Sequence, residues 1–194
     1  MAMRIVKGFS TQGTNGGNNP SANSPANSSG TSTQIRKGED LESMRISYST
    51  DTFDINSVGD NPFEQLLSWL EEERALGGKG EPNAFCLSTV DKWNRPRSRM
   101  VLLKNIKEDR LVFYTNYESH KAREIGNNPH VACNFYWPNT MRQVRIEGTV
   151  EKNSPQDSVD YFTSRPLLSR FSAMVSPQSK IIDSLTPLED KIQK

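Results

Sequence analysis

Apolar residues in this chain follow two rhythms. Between residues 61 and 78 the spacing is helical, with Phe63, Leu66, Leu67 and Leu70 on one face. Asn61 is placed to cap this helix, Pro62 suits its first turn, Glu64 completes a capping box, and Gly77-Gly78 ends it. From residue 84 the rhythm shortens to strand alternation. Strands are predicted over Ala84–Val90 and over residues 97–104, 111–115, 131–137 and 141–150. The turn-rich Asp91-Lys92-Trp93-Asn94-Arg95-Pro96 separates the first two, and Lys107-Glu108-Asp109-Arg110 precedes the third. Pro138-Asn139-Thr140 makes the last two a hairpin. Ser119 caps a short helix running through Ile125 and ended by Gly126-Asn127-Asn128-Pro129. Ser154-Pro155 opens another, carrying Val159, Tyr161 and Phe162 and closed by Arg165-Pro166. A helical stretch is expected over residues 168–174, and a short one from Ser176-Pro177. Thr186-Pro187-Leu188-Glu189 is a further capping box, barely two turns before Lys194.

Five strands in largely antiparallel order, flanked by helices, predict a mainly β (α+β) fold built on a small barrel. Such a sheet has edges that need closing, and a two-turn helix is marginal without packing. The expectation is a barrel incomplete at its C-terminal end. The hydrophobic content, 34%, is low because the deficit is local. Residues 10–35 are almost wholly Ser, Thr, Asn, Gly, Pro and Gln and cannot bury enough apolar surface to offset chain entropy. A disordered tail is therefore expected over 1–41 and a folded domain over 42–194. Arg4 and Lys7, with no acid before Glu39, raise a mitochondrial-type presequence as an alternative, which Asn and Gly richness weakens. A cytoplasmic location is the main expectation.

The net charge of +1 signals neither nucleic acid nor an acidic membrane as partner, and no apolar run reaches the roughly 18–20 residues of a membrane helix. Cys86 and Cys133 lie in strand-like runs without nearby metal-ligand partners, so buried free thiols are expected and no metal site.

Two strands carry unusual chemistry: Arg99-Met100-Val101-Leu102-Leu103-Lys104 and Arg142-Gln143-Val144-Arg145-Ile146-Glu147-Gly148. Cations and amides along paired strands can hold a flat anionic ligand, because Arg forks grip phosphate and Gln both donates to and accepts from a ring edge. On an alternating strand Arg97 and Arg99 share a face, with Lys104 on the other unless a bulge intervenes, while Gln143 and Arg145 form a polar row beside Val144 and Ile146. For either run alone, a solvated strand face with edge-protecting charges is the plainer account. Between them, Phe113-Tyr114-Thr115-Asn116 leads into Ser119-His120-Lys121, a strand meeting a helix start suited to phosphate. Tyr161, Arg165 and Ser169 recur every four residues, one cation and two hydroxyls, although Pro166 interrupts a continuous helix. Gln178-Ser179 adds an amide and a hydroxyl. Nucleotide-loop, nucleophile-elbow and metal motifs are missing, and no acid pair suggests hydrolysis. Many phosphate anchors without an acid–base pair suggest chemistry carried by a cofactor.

These runs, together with Asn128-Pro129, Phe135-Tyr136-Trp137, Tyr161-Phe162-Thr163-Ser164-Arg165-Pro166 and residues 176–179, resemble the pyridoxine/pyridoxamine 5′-phosphate oxidase family, in the family's order and over roughly residues 44–190. The resemblance implies an FMN-binding split β-barrel, a homodimer with FMN at the subunit interface. It implies FMN contacts from Arg99 (near the phosphate), Met100, Val101, Leu102, Leu103, Lys104, Tyr114, Thr115, His120, Lys121 and Gln143, with Gln178 and Ser179 coming from the other subunit. It assigns the substrate phosphate to Lys104, Tyr161, Arg165 and Ser169, and a closing segment to Arg45 and Tyr48. The implied reaction oxidises C4′ of pyridoxamine or pyridoxine 5′-phosphate to give pyridoxal 5′-phosphate, with hydride passing to flavin N5 and O2 reoxidising the flavin to yield hydrogen peroxide. His120 stands where the family has a second cation. The family's C-terminal Trp-Gly-Gly strand and Arg-Leu-His-Asp-Arg motif, which supply closing strands and the Arg and His over the reacting carbon, do not occur up to Lys194. Catalytic residues are therefore unassigned. The alternative is a truncated, non-catalytic split barrel that binds flavin or pyridoxal phosphate.

Overall fold

The computed structural model describes residues 2–6, 9–10, 44, 55–182 and 184. The chain divides into two units, residues 1–12 together with 55–194, and residues 13–54. All described residues except Met44 lie in the first unit. Apart from Ser10, the expected disordered stretch over 10–35 falls outside the described residues, as do Arg45, Tyr48 and the capping box at Thr186.

Seven strands make one antiparallel sheet: β1 (Ala2–Val6), β2 (Phe9–Ser10), β3 (Ala84–Val90), β4 (Pro96–Ile106), β5 (Leu111–Tyr114), β6 (His130–Trp137) and β7 (Arg142–Lys152). Their order is β1-β5-β4-β3-β6-β7-β2, and β1 pairs with β7 as well as β5. That second pairing closes β1, β5, β4, β3, β6 and β7 into a ring. Four α-helices accompany the sheet among the described residues: α1 (Pro62–Leu76), α2 (His120–Asn127), α3 (Pro155–Ser164) and α4 (Leu167–Val175).

The core follows the alternation of the strands. Phe85, Leu87, Phe113, Phe135, Trp137, Val144 and Ile146 point inward. Phe85 packs edge-on to Phe113 at 6.1 Å and lies 5.0 Å from Phe135, which lies 5.6 Å from Trp137. Each such pair adds about 0.5–1.5 kcal/mol beyond the area it buries. The Trp137 indole N–H donates to the Pro82 carbonyl at 2.7 Å, so its polar edge is satisfied inside. Leu66 anchors α1 on this core. Asn61 Oδ1 accepts from the N–H groups of Phe63 and Glu64, and Gly77, at φ 70°, ends the helix in the left-handed region. Buried Glu73 accepts from the backbone and side chains of Asn139 and Thr140, tying α1 to the β6–β7 turn.

Several expectations need correction. The first strand lies inside the segment read as a tail. Met3 and Ile5 alternate with Arg4 and are 2% and 1% exposed, because β5 and β7 each present a row of backbone groups that only another strand can pair. A window dominated by the Ser/Asn/Gly tract hides this short alternation. The sheet edges expected to await C-terminal strands are thus bridged by β1. No helix starts at Ser176-Pro177; residues 176–180 form a turn with Ser179 at φ 68°. Tyr161, Arg165 and Ser169 do not share one helix, since Arg165 precedes Pro166 and is extended (φ −75°, ψ 149°), which separates α3 from α4. Finally, β4 and β7 are not paired: β3 and β6 stand between them.

Candidate functional site

The cavity of interest lies where β4, the end of β5 and the start of α2 meet. It encloses about 230 Å³ and is lined by Met100, Val101, Leu102, Lys104, Tyr114, Thr115, Lys121, Tyr161 and Gln178. Each position has a local cause. Even-numbered residues of β4 up to Lys104 turn away from the core while Leu103 turns into it, and the strand shifts register between Leu103 and Asn105, which sets Lys104 at the irregularity. Ser119, fully buried, caps α2 by accepting from the Ala122 N–H at 3.4 Å, so Lys121 emerges from the first turn towards the cavity.

Lys121 is the centre of the cluster. Its Nζ donates to Thr115 Oγ1 at 3.1 Å and to Gln178 Oε1 at 3.3 Å, and Thr115 Oγ1 also lies 3.4 Å from Ser119 Oγ and from Gln178 Oε1. Both acceptors of the lysine are neutral, and among the described residues no carboxylate pairs with it. Burial, and secondarily the Arg99 charge, lower its pKa. A partly desolvated cation at a helix N-terminus, beside two hydroxyls, suits an anionic oxygen ligand. Tyr114 and Tyr161 stack at 3.5 Å with 11° between planes, a flat aromatic wall. Burial, then Asp157, Tyr161 and Asp160, raise the Tyr114 pKa, so its phenol stays a donor. The Arg165 guanidinium sits 5.9 Å from the Tyr161 ring centre.

This donor set fits a phosphorylated flat cofactor such as FMN: one cation and hydroxyls for the phosphate, apolar β4 side chains and an aromatic wall for a ring. Its volume lies below the ~300–1,000 Å³ usual for small-ligand pockets.

Some anticipated residues lie elsewhere. Leu103 is in the core. Arg99 turns inward with Arg97, donating to the Leu87 carbonyl, Thr89 and Glu124. His120 is exposed, and neither Ser169 nor Ser179 lines the cavity. Gln143 and Arg145 do form the expected polar row opposite buried Val144 and Ile146, but on the outer sheet face, bonded to Asn134 and Glu147. The register places Met100, Cys86, Asn134 and Arg145 in one lateral row across β4, β3, β6 and β7, so the two chemically unusual strands share that face without touching. Glu124 and Thr89 escaped the sequence reading. The available signal was a Glu beside Ile125 on the apolar face of α2.

Comparison with known proteins follows the same lines. The sequence profile of the pyridoxamine 5′-phosphate oxidase family matches residues 71–194. The chain is similar to the pyridoxine/pyridoxamine 5′-phosphate oxidase of Paraburkholderia phymatum, 47% identical over 150 residues, covering 77% of this chain and 70% of that protein. Its similarity to the same oxidase of Legionella pneumophila strain Paris is 44% over 160 residues, covering 82% and 74%. Among solved structures it is similar to PhzG of Burkholderia lata 383, determined in complex with tetrahydrophenazine-1-carboxylic acid, with a TM-score of 0.69, 23% identity, and 75% and 73% of the two chains covered. A pyridoxamine 5′-phosphate oxidase-related, FMN-binding protein of Nostoc punctiforme gives a TM-score of 0.56 at 22% identity, covering 68% and 73%. At these identities the two structures speak for the fold, a split β-barrel.

Proposed function

The chain belongs to the pyridoxamine 5′-phosphate oxidase family, and from that premise we propose that it binds FMN and oxidises pyridoxamine and pyridoxine 5′-phosphate to pyridoxal 5′-phosphate, with O2 as acceptor. The observation that carries this reading is Lys121, a partly buried cation facing the cavity with only neutral oxygens bonded to it. In this reading Lys121, Thr115 and the start of α2 hold the cofactor phosphate. Met100, Val101 and Leu102 line the ring and exclude water from it. Tyr114 orients the ring by stacking and by its neutral phenol. Lys104, Tyr161, Arg165 and Ser169 take the substrate phosphate, supported by Lys104 and Tyr161 sharing the cavity and by Arg165 lying against Tyr161. Bound FMN would supply the two-electron acceptor that hands electrons to oxygen. The protein's share is positioning and electrostatics.

The reading includes a homodimer with FMN at its interface. The outer sheet face supports it. Met100 and Tyr136 are 63% and 59% exposed there, and Gln143 is exposed on the same face, where a partner's flavin could meet it. Gln178 and Ser179 belong to the same cofactor site, and Arg45 and Tyr48 to a segment closing over substrate.

The test is purification with FMN followed by peroxide release on pyridoxamine 5′-phosphate. A flavin spectrum with substrate-dependent peroxide is expected. A flavin spectrum without turnover would favour the alternative of a non-catalytic flavin binder, and loss of flavin on gel filtration would overturn the cofactor assignment.

A further inference from the structure

Buried carboxylates are costly unless paired, so the Glu124 side chain, 7% exposed, calls for an account. It lies on α2 one turn beyond Lys121. Its Oε2 accepts from the Thr89 hydroxyl at 2.6 Å and from Arg99 Nη2 at 2.9 Å. Arg99 Nη1 in turn donates to Thr89 Oγ1 at 2.5 Å and to the Leu87 carbonyl at 3.2 Å. Glu124, Thr89 and Arg99 therefore form a closed ring of hydrogen bonds. A second cation supports it: Arg97 Nε lies 3.5 Å from Glu124 Oε1, and Arg97 Nη2 lies 3.4 Å from Asp91 Oδ2. The ring fastens α2 to both strands of the β3–β4 hairpin.

Stability alone is a weak reason for such a ring, because well-packed apolar residues at buried ion pairs are often as stable or more so. What an apolar seam cannot do is fix α2 on the hairpin through directed bonds, and Lys121 stands one turn before Glu124 on that helix.

We propose that Glu124, with Thr89, is a positioning residue for the phosphate end of the cavity, fastening α2 to the β3–β4 hairpin through the Arg99 ring so that Lys121 and the first turn of α2 are held in the arrangement that receives a phosphate monoester. The proposal rests on the flavin reading of the same cavity. Its electrostatic and geometric consequences have opposite signs. Deleting the Glu124 charge makes the site more positive, which by Coulomb attraction alone would tighten phosphate binding. Loss of that arrangement weakens it instead.

The experiment compares FMN with riboflavin, which lacks the phosphate, by fluorescence titration of the full chain and of Glu124→Gln and Thr89→Val. Thr89→Val removes the hydroxyl without changing charge and stands in if Glu124→Gln does not fold. In each folded variant the FMN-over-riboflavin preference is expected to fall about tenfold, the loss of roughly one charge-assisted hydrogen bond, with riboflavin affinity unchanged. A proportional loss of both affinities would mean a merely structural ring and would overturn the proposal, as would an unchanged or strengthened FMN preference. A wild-type chain with no FMN preference would instead sink the flavin reading itself.

Discussion

At the residue scale, the site depends on how burial and neighbours set the charge of single groups. Lys121 is lowered below the ordinary lysine range by burial and by Arg99, so its cation is lost at a lower pH than that of a solvated lysine. Affinity for FMN should be flat through neutral pH and decline on the alkaline side before an ordinary lysine would titrate. Lys121→Met should cost about tenfold or more in affinity and abolish that decline; an unchanged alkaline limb in the variant would assign it to another group. Asp91 shows the opposite case. Burial opposes its charge, but bonds from the Arg95 side chain and from the Arg95 and Trp93 N–H groups outweigh it and hold the pKa at about 2. Because the folded pKa lies below the unfolded one, its stabilisation is complete above 3.8 and is lost as pH falls through about 2. Asp91→Asn should lower Tm at neutral pH, and the gap to the parent should narrow over that acid window when melting is followed by circular dichroism.

At the scale of elements, the sheet depends on a strand drawn from outside the main run of the fold. β1 covers both free edges at once, and its core contribution comes from Met3 and Ile5. Ile5→Ala should destabilise the protein by about 2–4 kcal/mol in denaturant unfolding, a typical large-to-small core cost. Leu67→Ala, on the exposed side of α1, should change it by under about 1 kcal/mol. Equal small effects would show that β1 is not part of the cooperative unit. The strands from β3 to β7 and the helices α1 to α4 were legible in the sequence, because caps, turns and alternation are local. The bulge at Lys104, the break at Arg165 and the turn at residues 176–180 were less so, since each depends on what the chain meets after folding. β1 was hidden by composition: five residues of alternating pattern adjoin a long polar tract.

At the scale of the molecule, one chain offers a cavity of about 230 Å³ and an outer sheet face with exposed Met100, Tyr136 and the Gln143–Arg145 row. If the proposed homodimer uses this face, Tyr136→Glu should shift the chain from dimer to monomer in light scattering and lower FMN affinity in parallel; a dimer that persists would place the interface elsewhere. The sequence by itself determined the cationic and amide residues of the site, their order and the family they belong to, because residue types and spacing are written along the chain. It could not tell that β3 and β6 stand between the two unusual strands, that Arg99 faces Glu124 rather than open cavity, or that β1 bridges β5 and β7. Those were decided by tertiary structure, since strand order and the pairing of buried charges are set by which distant surfaces must be covered together.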